Sequence, residues 1–149
     1  MRIALFQPEI AQNVGAVLRL GACLGVAVDL IEPMGFEWDD KRVRRTAMDY
    51  IDAVTVVRHP SFAAFRTASP GRLVLLSTKG TQSPYDFTFA PTDTLLLGKE
   101  SAGVPAEVAA VCDSIVRIPI RPEVRSLNLA TAAALALGEA LRQTGEFPQ

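Results

Sequence analysis

The sequence predicts an α/β protein with a mainly parallel sheet flanked by helices, a single domain over residues 1–149. Three observations predict it. Short apolar runs at 2–6, 26–31, 54–58, 73–77, 94–97 and 115–120 have the length and composition of buried strands. Stretches of helical spacing separate most of them, as the crossovers of a parallel sheet require. No repeat, linker or low-complexity segment divides the 149 residues, enough chain for one full core.

The elements follow in order. The run at 2–6 stops before Pro8. Asn13 is then placed as the N-cap of a helix whose row of Val14, Val17, Leu18, Gly21 and Leu24 closes at Gly25. The run at 26–31 breaks at Pro33-Met34-Gly35, and Asp39 or Asp40 caps a charged helix reaching about residue 50. After the third run, a helix from about residue 60 to 68 ends at Pro70-Gly71. Residues 84–92, between the fourth and fifth runs, read as loop. Pro105 suits the first turn of a helix carrying Val108 and Val111. Pro119 interrupts the sixth run and so belongs at its end or against a loop. An alanine-rich helix over 127–144 completes the chain.

Composition narrows the class. A hydrophobic share of 49% with 21% charged residues fits a soluble globular protein. No apolar run reaches the roughly 18 residues that a membrane span needs. Pro8 and Glu9 arrive before a signal-peptide apolar region could develop, so a cytoplasmic location is expected. Cys23 and Cys112 form no CxxC pair and His59 is the sole histidine, which speaks against a disulfide framework or a metal site. Both cysteines read as small buried apolar residues, and His59 as structural or surface. A net charge of −1 means that any nucleic-acid surface must be local.

Four stretches could carry chemistry. LLLGKESAGVP at 95–105 is no triphosphate loop, because Asp93 stands where the first glycine belongs and Glu100 follows Lys99. It does fall beyond the carboxyl end of a strand, where open α/β sheets bind ligands. Its Glu100 could accept hydrogen bonds or cap the next helix. In NVGAVLRLGACLG, residues 13–25, Gly15 and Arg19 share a helix face, leaving room for a flat or anionic ligand beneath the guanidinium. In IPIRPEVRSLNLA, residues 118–130, two prolines hold the chain extended ahead of Ser126 and Asn128. In PMGFEWDDKRVRR, residues 33–45, Lys41, Arg42, Arg44 and Arg45 follow Phe36 and Trp38, a pattern that can grip phosphates and stack on bases. Thr78-Lys79-Gly80 is a fifth loop directly after an apolar run. Taken singly, each has a plain alternative: a surface arginine, a strand-turn-helix connection, a Ser126 helix cap, a solvated helix.

Together they resemble the three motifs of the SpoU (TrmH-type) RNA 2′-O-ribose methyltransferases, of the SPOUT superfamily. Asn13, Gly15 and Arg19 match the first, and Gly98, Glu100 and Gly103 the second. Ile118, Pro119, Ser126, Leu127 and Asn128 match the third. The likeness is nearest to the family's minimal members, which methylate the wobble ribose of certain tRNAs. Residues 31–50 and STKGT at 77–81 carry it, and it spans nearly the whole chain.

The resemblance implies a C-terminal deep trefoil knot and an obligate homodimer, with part of each site supplied by the partner. It implies S-adenosylmethionine as methyl donor and no metal. The substrate implied is the anticodon stem-loop of leucine-type tRNAs, methylated on the 2′-hydroxyl of cytidine or uridine 34. Thr78, Gly98, Glu100, Ile118, Ser126, Leu127 and Asn128 would form the cofactor pocket, with Gly98 giving backbone access and Glu100 holding the loops. Arg19 would stabilise charge on the attacking oxygen, with Asn13 and Ser126 orienting the groups. Trp38, Lys41, Arg42, Arg44 and Arg45 would face the tRNA. Two departures stand out: no tyrosine lies near Gly138, and Lys99 replaces an expected proline. Three other readings stay open at this level. They are a silent knotted RNA-binding protein, a 2′-O-methyltransferase for another tRNA or rRNA position, and a flavodoxin-like nucleotide binder.

Overall fold

In a computed structural model, which describes residues 1–47 and 50–149, a six-stranded parallel sheet is sandwiched between two layers of helices. In chain order the elements are β1 (Arg2–Phe6), α1 (Ala11–Leu24), β2 (Ala27–Ile31), α2 (Asp40–Ala47), a 3₁₀ turn (Tyr50–Ala53), β3 (Val56–His59) and α3 (Phe62–Ala68). There follow β4 (Leu73–Leu76), β5 (Thr94–Leu97), α4 (Ala106–Ala110), β6 (Ser114–Val116) and α5 (Leu129–Thr144). The strand order is β3-β2-β1-β5-β4-β6, every neighbouring pair parallel.

Side-chain alternation divides the strands between two cores. Ile3, Leu5, Val28, Leu30, Leu95 and Leu97 face α1 and α5, meeting Val14, Val17, Leu18, Ala133, Leu137 and Leu141. Ala4, Phe6, Ile31, Leu75 and Leu96 face α3 and α4, meeting Phe65 and Val108. Residues buried on both faces explain why the strands read as continuous apolar runs rather than alternating ones. Among the described residues no helix is long and apolar enough to cross a membrane.

Several expected boundaries move. Helix α1 starts at Ala11, so Asn13 lies within its first turn rather than at the cap, and is buried. Asn128, not Ser126, caps α5: its Oδ1 accepts from the N–H groups of Ala130 and Thr131 at 2.9 and 3.2 Å. β6 ends at Val116 because Arg117 turns its N–H away to the carbonyl of Gln82, 2.8 Å. β3 begins two residues later than expected, after the 3₁₀ turn. The expected passage of the charged helix through residues 48 and 49 lies outside the described residues. Cys23 is exposed on the outward row of α1, contrary to its reading as a buried apolar residue, while Cys112 is half-buried. There its desolvated thiol is pushed up to about 11. His59 is structural, its Nε2 2.8 Å from the buried Asp29, which Arg2 also grips.

Candidate active site

At the carboxyl edge of the sheet, the loops after β4, β5 and β6 and the start of α1 enclose a cavity of about 1030 Å³. β1 and β5 are neighbours there although crossovers leave them in opposite directions, the usual crevice of an open α/β sheet. Thr78, Gly98 and Glu100 line it, as do Ile118, Ser126, Leu127 and Asn128 from the segment leading into α5. Asn13 joins them from α1. Residues scattered over more than a hundred positions thus share one cavity.

A chain of hydrogen bonds holds these loops in place. The Glu100 carboxylate accepts from the N–H groups of Glu9 and Ile10, at 2.8 and 3.2 Å, and from the Asn13 amide at 3.1 Å. It therefore caps α1, which has no local side-chain cap, and sits where the helix dipole favours a negative charge. The next helix, α4, begins instead at Pro105. Asn13 Oδ1 in turn accepts from Asn128 Nδ2 at 2.8 Å. Asn128 caps α5, so one chain of contacts runs from the second motif through the first to the third.

Glu9 and Ser101 close a second clasp that sequence reasoning missed. Glu9 accepts from the Ser101 N–H at 2.9 Å and from its hydroxyl at 2.8 Å. Those bonds, backbone first, hold the Glu9 carboxyl below its ordinary value, so it is ionised at neutral pH. Gly98 lines the cavity, but its missing Cβ answers a nearer demand. A Cβ there would overlap the backbone of Gly103, which doubles back at φ +67° to exchange hydrogen bonds with Lys99.

Arg19 does not reach this cavity. Six residues beyond Asn13 on one helix, it points about 120° away around the axis. It is exposed, its guanidinium 5.1 Å from the centre of the Tyr50 ring. The contact itself carried no sequence signal, since it joins α1 to the 3₁₀ turn. The expected trio of Arg19, Asn13 and Ser126 is therefore not assembled within one subunit.

The basic stretch forms a surface of its own. On α2, Lys41, Arg42, Arg44 and Arg45 are exposed around the buried Val43. Arg44 is bound by both oxygens of Asp52 at 3.1 Å. Trp38 is half-buried, donates its indole N–H to Asp40 at 2.7 Å, and carries the Arg58 guanidinium 5.1 Å from its ring centre. One side of the indole that could stack on a base is thus already covered.

The chain matches the SpoU rRNA methylase family over residues 1–138. It is 58% identical over 146 residues to a protein of Beijerinckia indica named tRNA (cytidine(34)-2′-O)-methyltransferase, covering 96% of this chain and 91% of that one. A solved structure described as giving insights into the 2-OH methylation of C/U34 on tRNA is 43% identical, with a TM-score of 0.91 over 95% of this chain and 94% of the other. The SpoU methyltransferase AviRb from Streptomyces viridochromogenes, solved with its cofactor AdoMet, is 30% identical with a TM-score of 0.84. That match covers 96% of this chain and 60% of AviRb.

Proposed function

The chain belongs to the SpoU rRNA methylase family, and from that premise we propose that it methylates the ribose 2′-hydroxyl of cytidine or uridine 34 in tRNA, the TrmL-type reaction. S-adenosylmethionine is its cofactor. The observation that carries the reading is the hydrogen-bonded union of all three motifs around one cavity at the sheet's carboxyl edge.

The cavity suits that cofactor. Its volume is ample for a nucleoside with an amino-acid tail, and Leu76, Leu97, Ile118 and Leu127 offer apolar surface to an adenine. When bound, S-adenosylmethionine supplies a methyl group already activated by its sulfonium. What remains for the protein is to hold the donor and the 2′-hydroxyl in line and to stabilise the negative charge on the attacking oxygen. Ser126, exposed beside Asn128, is placed to contact the ribose or the cofactor. An arginine suits the charge-stabilising role, because a guanidinium stays protonated and can grip oxyanions. Arg19, turned away from its own cavity, meets that need from the partner of a homodimer.

The face that would form the dimer lies on α1 and α5. Ala16, Arg19 and Cys23 on α1 lie exposed, and α5, packed against α1, exposes Thr131, Ala134 and Leu135. Small and apolar side chains on both helices allow a second copy to approach closely. The C-terminal knot belongs to the same reading. It is supported by the likeness to SpoU structures and by the tight seat of the 77–82 loop against Val116 and Arg117. The α2 surface with Lys41, Arg42, Arg44, Arg45 and Trp38 would meet the anticodon stem-loop.

Steady-state methyl transfer to tRNA tests the mechanism. Arg19→Ala should lower kcat/KM by about 10²-fold or more while leaving cofactor affinity within about twofold. A wild-type rate in that variant would remove Arg19 from the reaction. A tRNA bearing 2′-deoxyribose at nucleotide 34 should accept no methyl, and its methylation would contradict the assigned acceptor.

A further inference from the structure

Several arginines of this chain are paired with acids, and the cations of the cavity lining contrast with them. Away from the cavity, Arg2 pairs with Asp29, Arg44 with Asp52, Arg58 with Glu32, Arg72 with Asp93 and Arg142 with Glu139. Lys79, Arg117 and Arg125 line the cavity, are exposed, and take part in no ion pair among the described residues. Lys79 comes from the loop after β4, and Arg117 and Arg125 from the single segment that joins β6 to α5.

The fold brings two of them side by side. A Cβ on Gly80 would stand 2.7 Å from the carbonyl carbon of Val116 and 2.9 Å from the N of Arg117, so the turn carrying Lys79 lies directly on the chain carrying Arg117. The Ser77 N–H bonds to the Val116 carbonyl at 2.9 Å, and the Arg117 N–H bonds to the Gln82 carbonyl at 2.8 Å, fixing that contact from both sides. Among the described residues the one acid lining the cavity is Glu100, and its carboxylate is engaged by Glu9, Ile10 and Asn13. Lys99, the fourth cation of the lining, has the Glu9 carboxylate nearby. Three unneutralised cations on one rim create a field that draws an oxyanion.

Two oxyanions could meet that rim: the carboxylate of the cofactor's amino-acid end, or the phosphodiesters of the substrate strand. The first is a single charge beside an ammonium and a sulfonium, which three exposed cations would repel. The second is a row of like charges, which three cations spread over two loops match. We infer that Lys79, Arg117 and Arg125 form a phosphate-binding rim that holds the tRNA backbone at the nucleotide being methylated, a surface distinct from α2. The rim rests on the reading of the chain as a tRNA methyltransferase.

The test uses the intact protein carrying Lys79→Gln, Arg117→Gln or Arg125→Gln, each checked for an unchanged melting temperature. Equilibrium binding of tRNA is measured from about 50 to 200 mM salt with S-adenosylhomocysteine present, alongside cofactor affinity without RNA and methyl transfer. Each substitution should weaken tRNA binding by about 3- to 10-fold and flatten the slope of log affinity against log salt by about 0.7. Cofactor affinity should stay within about twofold. Unchanged tRNA binding and slope would overturn the rim, as would weaker cofactor binding with an unchanged slope, which would give these cations to the cofactor's carboxylate. Wild-type protein that binds tRNA with the expected losses in the variants, yet transfers no methyl, would keep the rim and sink the methyltransferase reading. Wild-type protein that binds no tRNA would overturn the rim itself.

Discussion

At the scale of single residues, Glu100 joins stretches of chain 90 positions apart, accepting from the N–H groups that precede α1 and from the amide of Asn13. An amide in its place would turn an NH₂ group toward one of those donors and leave it without an acceptor. Glu100→Gln should therefore cost about 1–3 kcal/mol of stability, seen as a fall in melting temperature, and weaken cofactor binding by about tenfold. If neither changes, Glu100 does not organise the site. The motif residues themselves were legible, because Asn13, Arg19, Gly98, Glu100 and Asn128 are chemically distinctive at fixed spacings. Their partners were not. Ser101 and Glu9 are 92 positions apart, Asn128 and Asn13 are 115 apart, and no local pattern signals such pairs. The role of Gly98 was likewise hidden, since the demand comes from Gly103 folding back on it.

At the scale of elements, α1 and α5 do two things at once. Their inward faces close the core with Val14, Val17, Leu18, Ala133, Leu137 and Leu141, while their N-terminal ends deliver Asn13 and Asn128 to the cavity. Their outward faces remain, and Leu135 is 42% exposed there. Burying a glutamate against a second copy would be costly, so Leu135→Glu should shift the protein from dimer to monomer in sedimentation and lower methyl transfer by about tenfold or more. Because Arg19 is expected to act in the partner's cavity, the two losses should track each other. A monomeric variant with full activity would contradict the shared site. All six strands were legible from their apolar runs, and boundaries shifted only where tertiary contacts decide them. Arg117, for instance, leaves β6 for Gln82, and Asn128 rather than Ser126 meets the free N–H groups of α5.

At the scale of the whole molecule, the order β3-β2-β1-β5-β4-β6 was beyond the reach of strand patterns, since the inner strands β2, β1, β5 and β4 are buried on both faces and register gives no clue to neighbours. That order decides function. It sets β1 beside β5 and brings the loops after β4, β5 and β6 to one edge, so that motifs far apart in the chain share a cavity. The distribution of charge is also a property of the whole. A net charge of −1 conceals an exposed basic helix and a rim of unpaired cations at the cavity, because the other arginines are largely neutralised by acids. The most direct measurement is methyl transfer from labelled S-adenosylmethionine to total tRNA from cells lacking this protein, followed by nucleoside analysis and mapping. A 2′-O-methylated cytidine or uridine at nucleotide 34 is the expected result. Label at another position, or none from folded protein that binds the cofactor, would contradict the assignment.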